Sequence, residues 1–195
     1  MKKFVLNISY FLLTLCFSLL FIILLINSNE DFKQYIKEDY FNGYINVLDS
    51  LKSNKTNEKI IFIGGSNLGF GLNTARLEKE LGLKCYNFGV HGDIALEKII
   101  FDLNKFISKN DLIVISPEYI NIENPKRYKY ATYYVDLLRG VKISDFINFK
   151  LIAPFLNFTK NNIIGYLKNR KRKGLYDVNW FNVNGDIIGH HNKNN

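Results

Sequence analysis

Cysteine and histidine are scarce in this chain, and the scarcity excludes several kinds of site before any motif is read. Its two cysteines, Cys16 and Cys85, lie far apart, one inside a long apolar stretch and one inside a predicted strand. No disulfide is expected between them, and the bulky Leu15 before Cys16 argues against lipoprotein processing. Three histidines, His91, His190 and His191, show no His-x-x-x-His spacing and have no cysteine pair beside them, so neither a metal site nor a cofactor is expected. Residues 4–26 lack charge altogether.

That uncharged stretch is dominated by Leu, Ile and Phe, and it is long enough to cross a bilayer core of about 30 Å. The expectation is one N-terminal transmembrane helix within residues 1–28. Lys2 and Lys3 precede it and Glu30 and Asp31 follow. The positive-inside rule then puts the amino terminus in the cytoplasm and the rest of the chain outside, at the cell membrane. A cleaved signal peptide is the rival reading, but no small-residue cleavage site precedes Asn27. Residues 29–58 read as a stem helix and linker, with Tyr40, Tyr44, Val47, Leu48 and Leu51 at helical spacing. Residues 52–57 form a polar loop.

The stretch that organises the remainder is 59–71, KIIFIGGSNLGFG. Ile60, Ile61, Phe62 and Ile63 show no polar alternation, as in a strand buried on both faces at the centre of a parallel sheet. Gly64 and Gly65 turn the chain and leave Ser66 at the strand's carboxyl end, the edge at which open α/β sheets bind ligands. Three familiar loops fail here. A phosphate-binding loop would need Lys where Phe70 stands, a dinucleotide fingerprint would need Gly or Ala where Thr74 stands, and a GxSxG elbow meets Leu68.

Beyond the turn, Asn73 and Gly82 bracket a predicted helix over 74–81. Residues 84–88 read as a second strand, Asp93 as the cap of a helix running to about Lys109, and 112–115 as a third strand. This alternation gives a doubly wound parallel sheet. Right-handed crossovers bring Ser66, the residues from Gly89 to His91, and those from Ser116 to Glu118 to one edge. Residues 120–175 read as an aromatic helical insertion of two or three short helices, one kinked or ended by Pro154. They would be a lid, a membrane-resting surface or ordinary packing helices. The run KNRKRK at 168–173 contributes to a net charge of +8 and would attract anionic envelope polymer or lipid headgroups. Nucleic acid is not an expected partner. Asn184-Gly185 between alternating apolar residues of 181–188 predicts a closing two-residue hairpin.

The apolar strand, Gly-Gly-Ser-Asn at 64–67 and Asn87-Phe88-Gly89 resemble the first two blocks of the SGNH (GDSL-like) hydrolases, particularly their membrane-anchored cell-envelope branch. The resemblance covers roughly residues 59–119. It implies a three-layer flavodoxin-like α/β domain over 59–195, partial, behind the transmembrane helix. By the same resemblance Ser66 is the nucleophile and Gly89 donates an oxyanion N–H. His91 is a candidate base, while Gly65, Asn67 and Glu118 are candidate substrate contacts. The family's third block, Gly-x-Asn-Asp, meets Ser116-Pro117-Glu118-Tyr119, and no Asp-x-x-His supplies its base. The nearest approach is Asp186-Ile187-Ile188-Gly189-His190. Either the chain is truncated before that block, which is the reading favoured here, or one of the three histidines is the base.

The resemblance implies acyl transfer through a serine ester on cell-surface polysaccharide or teichoic acid, with an integral-membrane acyltransferase as partner. A non-catalytic tethered binding or scaffold module is the alternative. A nucleotide-binding domain inside the cell is the third.

Overall fold

The computed structural model describes residues 2–54, 58–123, 129–139, 152–168 and 177–189. They fall into two compact units, Met1–Lys37 and Glu38–Asn195. The first unit holds helices α1 (Lys2–Ser28) and α2 (Glu30–Lys37). The Asn29 side chain accepts the Phe32 N–H at 2.8 Å and so caps α2.

The sequence reading of α1 is half right. The segment is helical, and Phe4, Phe11 and Phe17 are exposed on it. Among the described residues, however, no helix is long and apolar enough to cross a membrane, which overturns the expected transmembrane helix. A span needs about 20 consecutive apolar positions. Here Asn7, Ser9, Thr14 and Ser18 interrupt the run, and three of their hydroxyls turn back onto carbonyls four residues earlier.

In chain order the second unit contains α3 (Asn42–Ser53), β1 (Lys59–Gly64), α4 (Ser66–Gly71), α5 (Thr74–Leu81), β2 (Lys84–Asn87) and α6 (Leu96–Leu103). Then come β3 (Leu112–Ser116), α7 (Tyr119–Glu123), α8 (Lys129–Leu138), α9 (Ile152–Leu167) and a 3₁₀ turn, Val178–Trp180. The strands form one parallel sheet in the order β2-β1-β3. The α/β class and the parallel sheet stand. The order matches the first three positions of the flavodoxin-like arrangement, so that expectation fits in part.

Centrality explains the composition of β1. Ile61 and Ile63 are buried with Tyr86 and Phe88, against Tyr44, Val47, Leu48 and Leu51 of α3, Ile99 and Leu103 of α6, and Val135 of α8. The apolar stripe read as a stem helix therefore contributes to the core of the second unit. Among the described residues β3 is an edge strand, with Leu112 and Ile115 about half exposed, 55% and 51%. At the amino ends of these two strands, Lys59 Nζ meets the buried Asp111 carboxylate at 2.7 Å.

Local signals decide where helices begin and end. Asn73 Oδ1 accepts the Arg76 N–H, and Gly82 closes α5 at φ +69°, as the sequence predicts. α6 starts later than expected and stops at Leu103: Ala95, which has no side chain to cap with, precedes the helix, so Asp93 is not its cap. Pro154 is the third residue of α9 and does not end it, since a first-turn N–H has no intrahelical partner to lose. The closing hairpin forms as a Phe181–Ile187 antiparallel bridge, but not with the expected two-residue turn: the Asn182 N–H donates to the Asp186 carbonyl, so residues 183–185 turn the chain, with Gly185 at φ +97°. Residues 169–173 of the basic run, and His190 and His191, lie outside the described residues.

Candidate functional site

The strand order puts the β1 turn between the loops that follow β2 and β3. β1 ends at Gly64, Gly65 continues extended with φ −96° and ψ −168°, and Ser66 is the first residue of α4. The Leu68 N–H folds back onto the Gly65 carbonyl and the Asn67 side chain, which fixes that corner. Ser66 is half-buried and Asn67 exposed.

Gly89 is packed into the corner from the β2 side. A Cβ there would lie 2.5 Å from Leu68 Cβ and 2.8 Å from both the Gly65 oxygen and the Gly69 nitrogen, so only glycine allows this approach. From the β3 side comes Glu118, between Pro117 and α7. A Cβ added to Gly65 or to Gly92 would overlap the Glu118 carboxylate. The carboxylate is thus seated between the loop after β1 and the loop after β2, and Ser66 Oγ donates towards its Oε1 at 3.4 Å.

The predicted site residues therefore sort as follows. Ser66, Gly65, Gly89 and Glu118 come together at one edge, joined by Gly92, which the sequence reading did not single out. Gly89 has a second tie: its N–H donates to Asn87 Oδ1 at 2.9 Å. Asn87, fully buried, also donates to the Leu68 carbonyl and to Asp186 Oδ1. Asp186 Oδ2 accepts from the Thr74 N–H and hydroxyl and from the Asn182 amide. One amide and one carboxylate thus fasten the Gly89 loop, the Ser66 helix and the closing hairpin together. Only the Asn-Phe-Gly tripeptide hinted at the first of them.

His91 is half-buried beside Gly92. Its ring packs on Phe41 at 5.3 Å and on Tyr40 at 6.1 Å, and its Nδ1 accepts the Asp93 N–H at 3.0 Å. The Tyr40 hydroxyl donates to the Val90 carbonyl, holding this loop on the core. A groove of about 480 Å³ lies elsewhere, lined by Tyr134, Leu137, Pro154, Asn157, Phe158 and Asn161. No residue of the Ser66 cluster lines it. Among the described residues no group of His, Cys, Asp and Glu could hold a metal ion.

The chain was compared with protein-family models, with curated proteins and with solved structures. None matches it. Its chemistry has to be read from the geometry itself. A hydroxyl beside a carboxylate at the carboxyl edge of a parallel sheet suits nucleophilic attack on a carbonyl or phosphoryl centre.

Proposed function

We propose that the chain is a serine-dependent esterase or acyltransferase with Ser66 as nucleophile, acting on acyl groups of cell-surface polysaccharide or teichoic acid. One observation carries the reading: the Ser66 hydroxyl stands where the loops after β1, β2 and β3 meet, 3.4 Å from a carboxylate. The sequence resemblance to envelope SGNH hydrolases supplies the polymer substrate, and an integral-membrane acyltransferase as partner belongs to the same proposal. A serine hydroxyl is a weak nucleophile at neutral pH and needs a base at hydrogen-bond distance together with donors for the developing oxyanion.

A fluorophosphonate probe tests the reading on the full chain. Labelling of the wild type that disappears in Ser66→Ala is the expected result, whereas a wild type that takes up no probe would sink it. The second reading, a non-catalytic binding or scaffold module, is favoured by the Gly89 N–H, which already donates to Asn87 Oδ1 instead of pointing at an empty oxyanion position. The unlabelled outcome is the one this module predicts.

A further inference from the structure

We propose that Glu118 is the general base of this site, the group that takes the Ser66 proton. The inference rests on the esterase reading and goes beyond it by assigning the base.

A base must hold a lone pair within hydrogen-bond reach of the nucleophile and must be kept in that orientation. Glu118 meets the first requirement, since its Oε1 accepts from Ser66 Oγ at 3.4 Å, a long contact of the kind that catalytic hydrogen bonds show before they tighten in the transition-state complex. The second is met by its seat. Gly65 on one side and Gly92 on the other approach the carboxylate so closely that a methyl group on either would displace it. Pro117 before it has its φ fixed by the ring, and α7 begins immediately after it.

His91 is the competing base that the sequence offers. Its Nδ1 accepts the Asp93 N–H, so the neutral imidazole carries its own hydrogen on Nε2, and neither nitrogen offers a lone pair to a serine proton in this arrangement.

The proton accounting closes without an oxidant or a cofactor. As Ser66 Oγ bonds to the acyl carbon, its proton passes to Glu118 and the carbonyl electron pair moves onto the oxygen. Collapse of the adduct breaks the bond to the leaving alcohol, which takes the proton from Glu118 and departs. Acyl-Ser66 and an ionised Glu118 remain. In the second half, water or an acceptor hydroxyl gives its proton to Glu118 while attacking the acyl-serine, and Ser66 recovers the proton as it leaves.

The rate at which an alkyl fluorophosphonate labels the full-length chain measures the first proton transfer. Glu118→Gln keeps the shape and removes the basic lone pair, so labelling slows by about 100-fold or more while the melting temperature stays close to the wild type. Gly92→Ala tests the seat: its methyl pushes only the end of a flexible side chain, so the fold survives and labelling falls. In Glu118→Ala, added formate restores labelling by occupying the vacated position, a rescue that a merely structural glutamate would not give. A wild type labelled at Ser66, with Glu118→Gln reacting equally fast or Glu118→Ala indifferent to formate, overturns this proposal and leaves the esterase reading standing. A wild type that never labels at Ser66 overturns both.

Discussion

Asp186 is the residue whose position matters most for what the sequence suggested. It opens the nearest approach to an Asp-x-x-His block, the position a catalytic partner of Ser66 would take. In the structure it is buried and holds the hairpin to the sheet, receiving the Thr74 N–H and hydroxyl and the amides of Asn87 and Asn182. A buried donor left without its acceptor costs about 1–3 kcal/mol. Asp186→Ala strands several at once, so a loss of roughly 3 kcal/mol or more is expected. A urea titration should show the midpoint falling well below that of the wild type; an unchanged midpoint would mean that the network is incidental. Because Asn87 holds the Gly89 N–H, the same substitution also loosens the loop beside Ser66.

At the level of elements, the hairpin depends on one backbone conformation. Gly185 has φ +97°, and a methyl group there would run into the Asn87 carbonyl. A left-handed conformation alone costs a residue with a side chain about 1–3 kcal/mol, and the overlap adds to that. Gly185→Ala is therefore expected to lower the melting temperature and to open the 177–189 segment to limited proteolysis. α5 was legible at both ends because its signals are local: an asparagine whose side chain caps the first turn, and a glycine in the left-handed conformation after the last. The start of α6 was not, since the residue before it is Ala95, which has no capping side chain and so leaves no mark in the sequence, while Asp93 two positions earlier looks like a cap and is not one. The same division holds at the site. The meeting of Ser66, Gly89 and Glu118 follows from alternating strands and helices, a regularity that the sequence displays. The bond between Asn87 and Asp186 joins residues 99 positions apart, and nothing in either neighbourhood announces it.

Across the second unit, α3, α6 and α8 are tied by charge as well as by apolar packing. Asp102 accepts from the Tyr44 hydroxyl at 2.9 Å, from Lys98 at 2.8 Å and from Arg139 at 3.0 Å, while Lys98 also reaches Asp136 at 2.7 Å. Burial acts to raise the Asp102 pKa, but the hydrogen bonds from Lys98, Arg139 and Tyr44 outweigh it and hold the carboxyl below its ordinary value. Burial, followed by the Asp102 charge, pushes the Tyr44 phenol upward. Asp111 behaves like Asp102: burial opposes ionisation, and the hydrogen bonds from Lys59 and Ser108 prevail. A carboxyl whose pKa is lowered on folding gives up stability when the unfolded chain begins to bind protons and the folded chain does not. That begins as pH falls towards about 4, the range of a free aspartate. Thermal melts from pH 7 to pH 3 should accordingly be flat at first and then drop below about pH 4, with Asp102→Asn less stable at neutral pH and showing a shallower drop.

The place of β1 between its two neighbours has a consequence for any substrate. Each loop that reaches Ser66 leaves a strand bonded directly to β1, so the intervals between those loops are set by the ladder spacing of about 4.8 Å. Recognition here would be carpentry on a fixed frame: a ligand at this edge meets spacings set by the hydrogen-bond rungs, and selectivity has to come from what hangs over them.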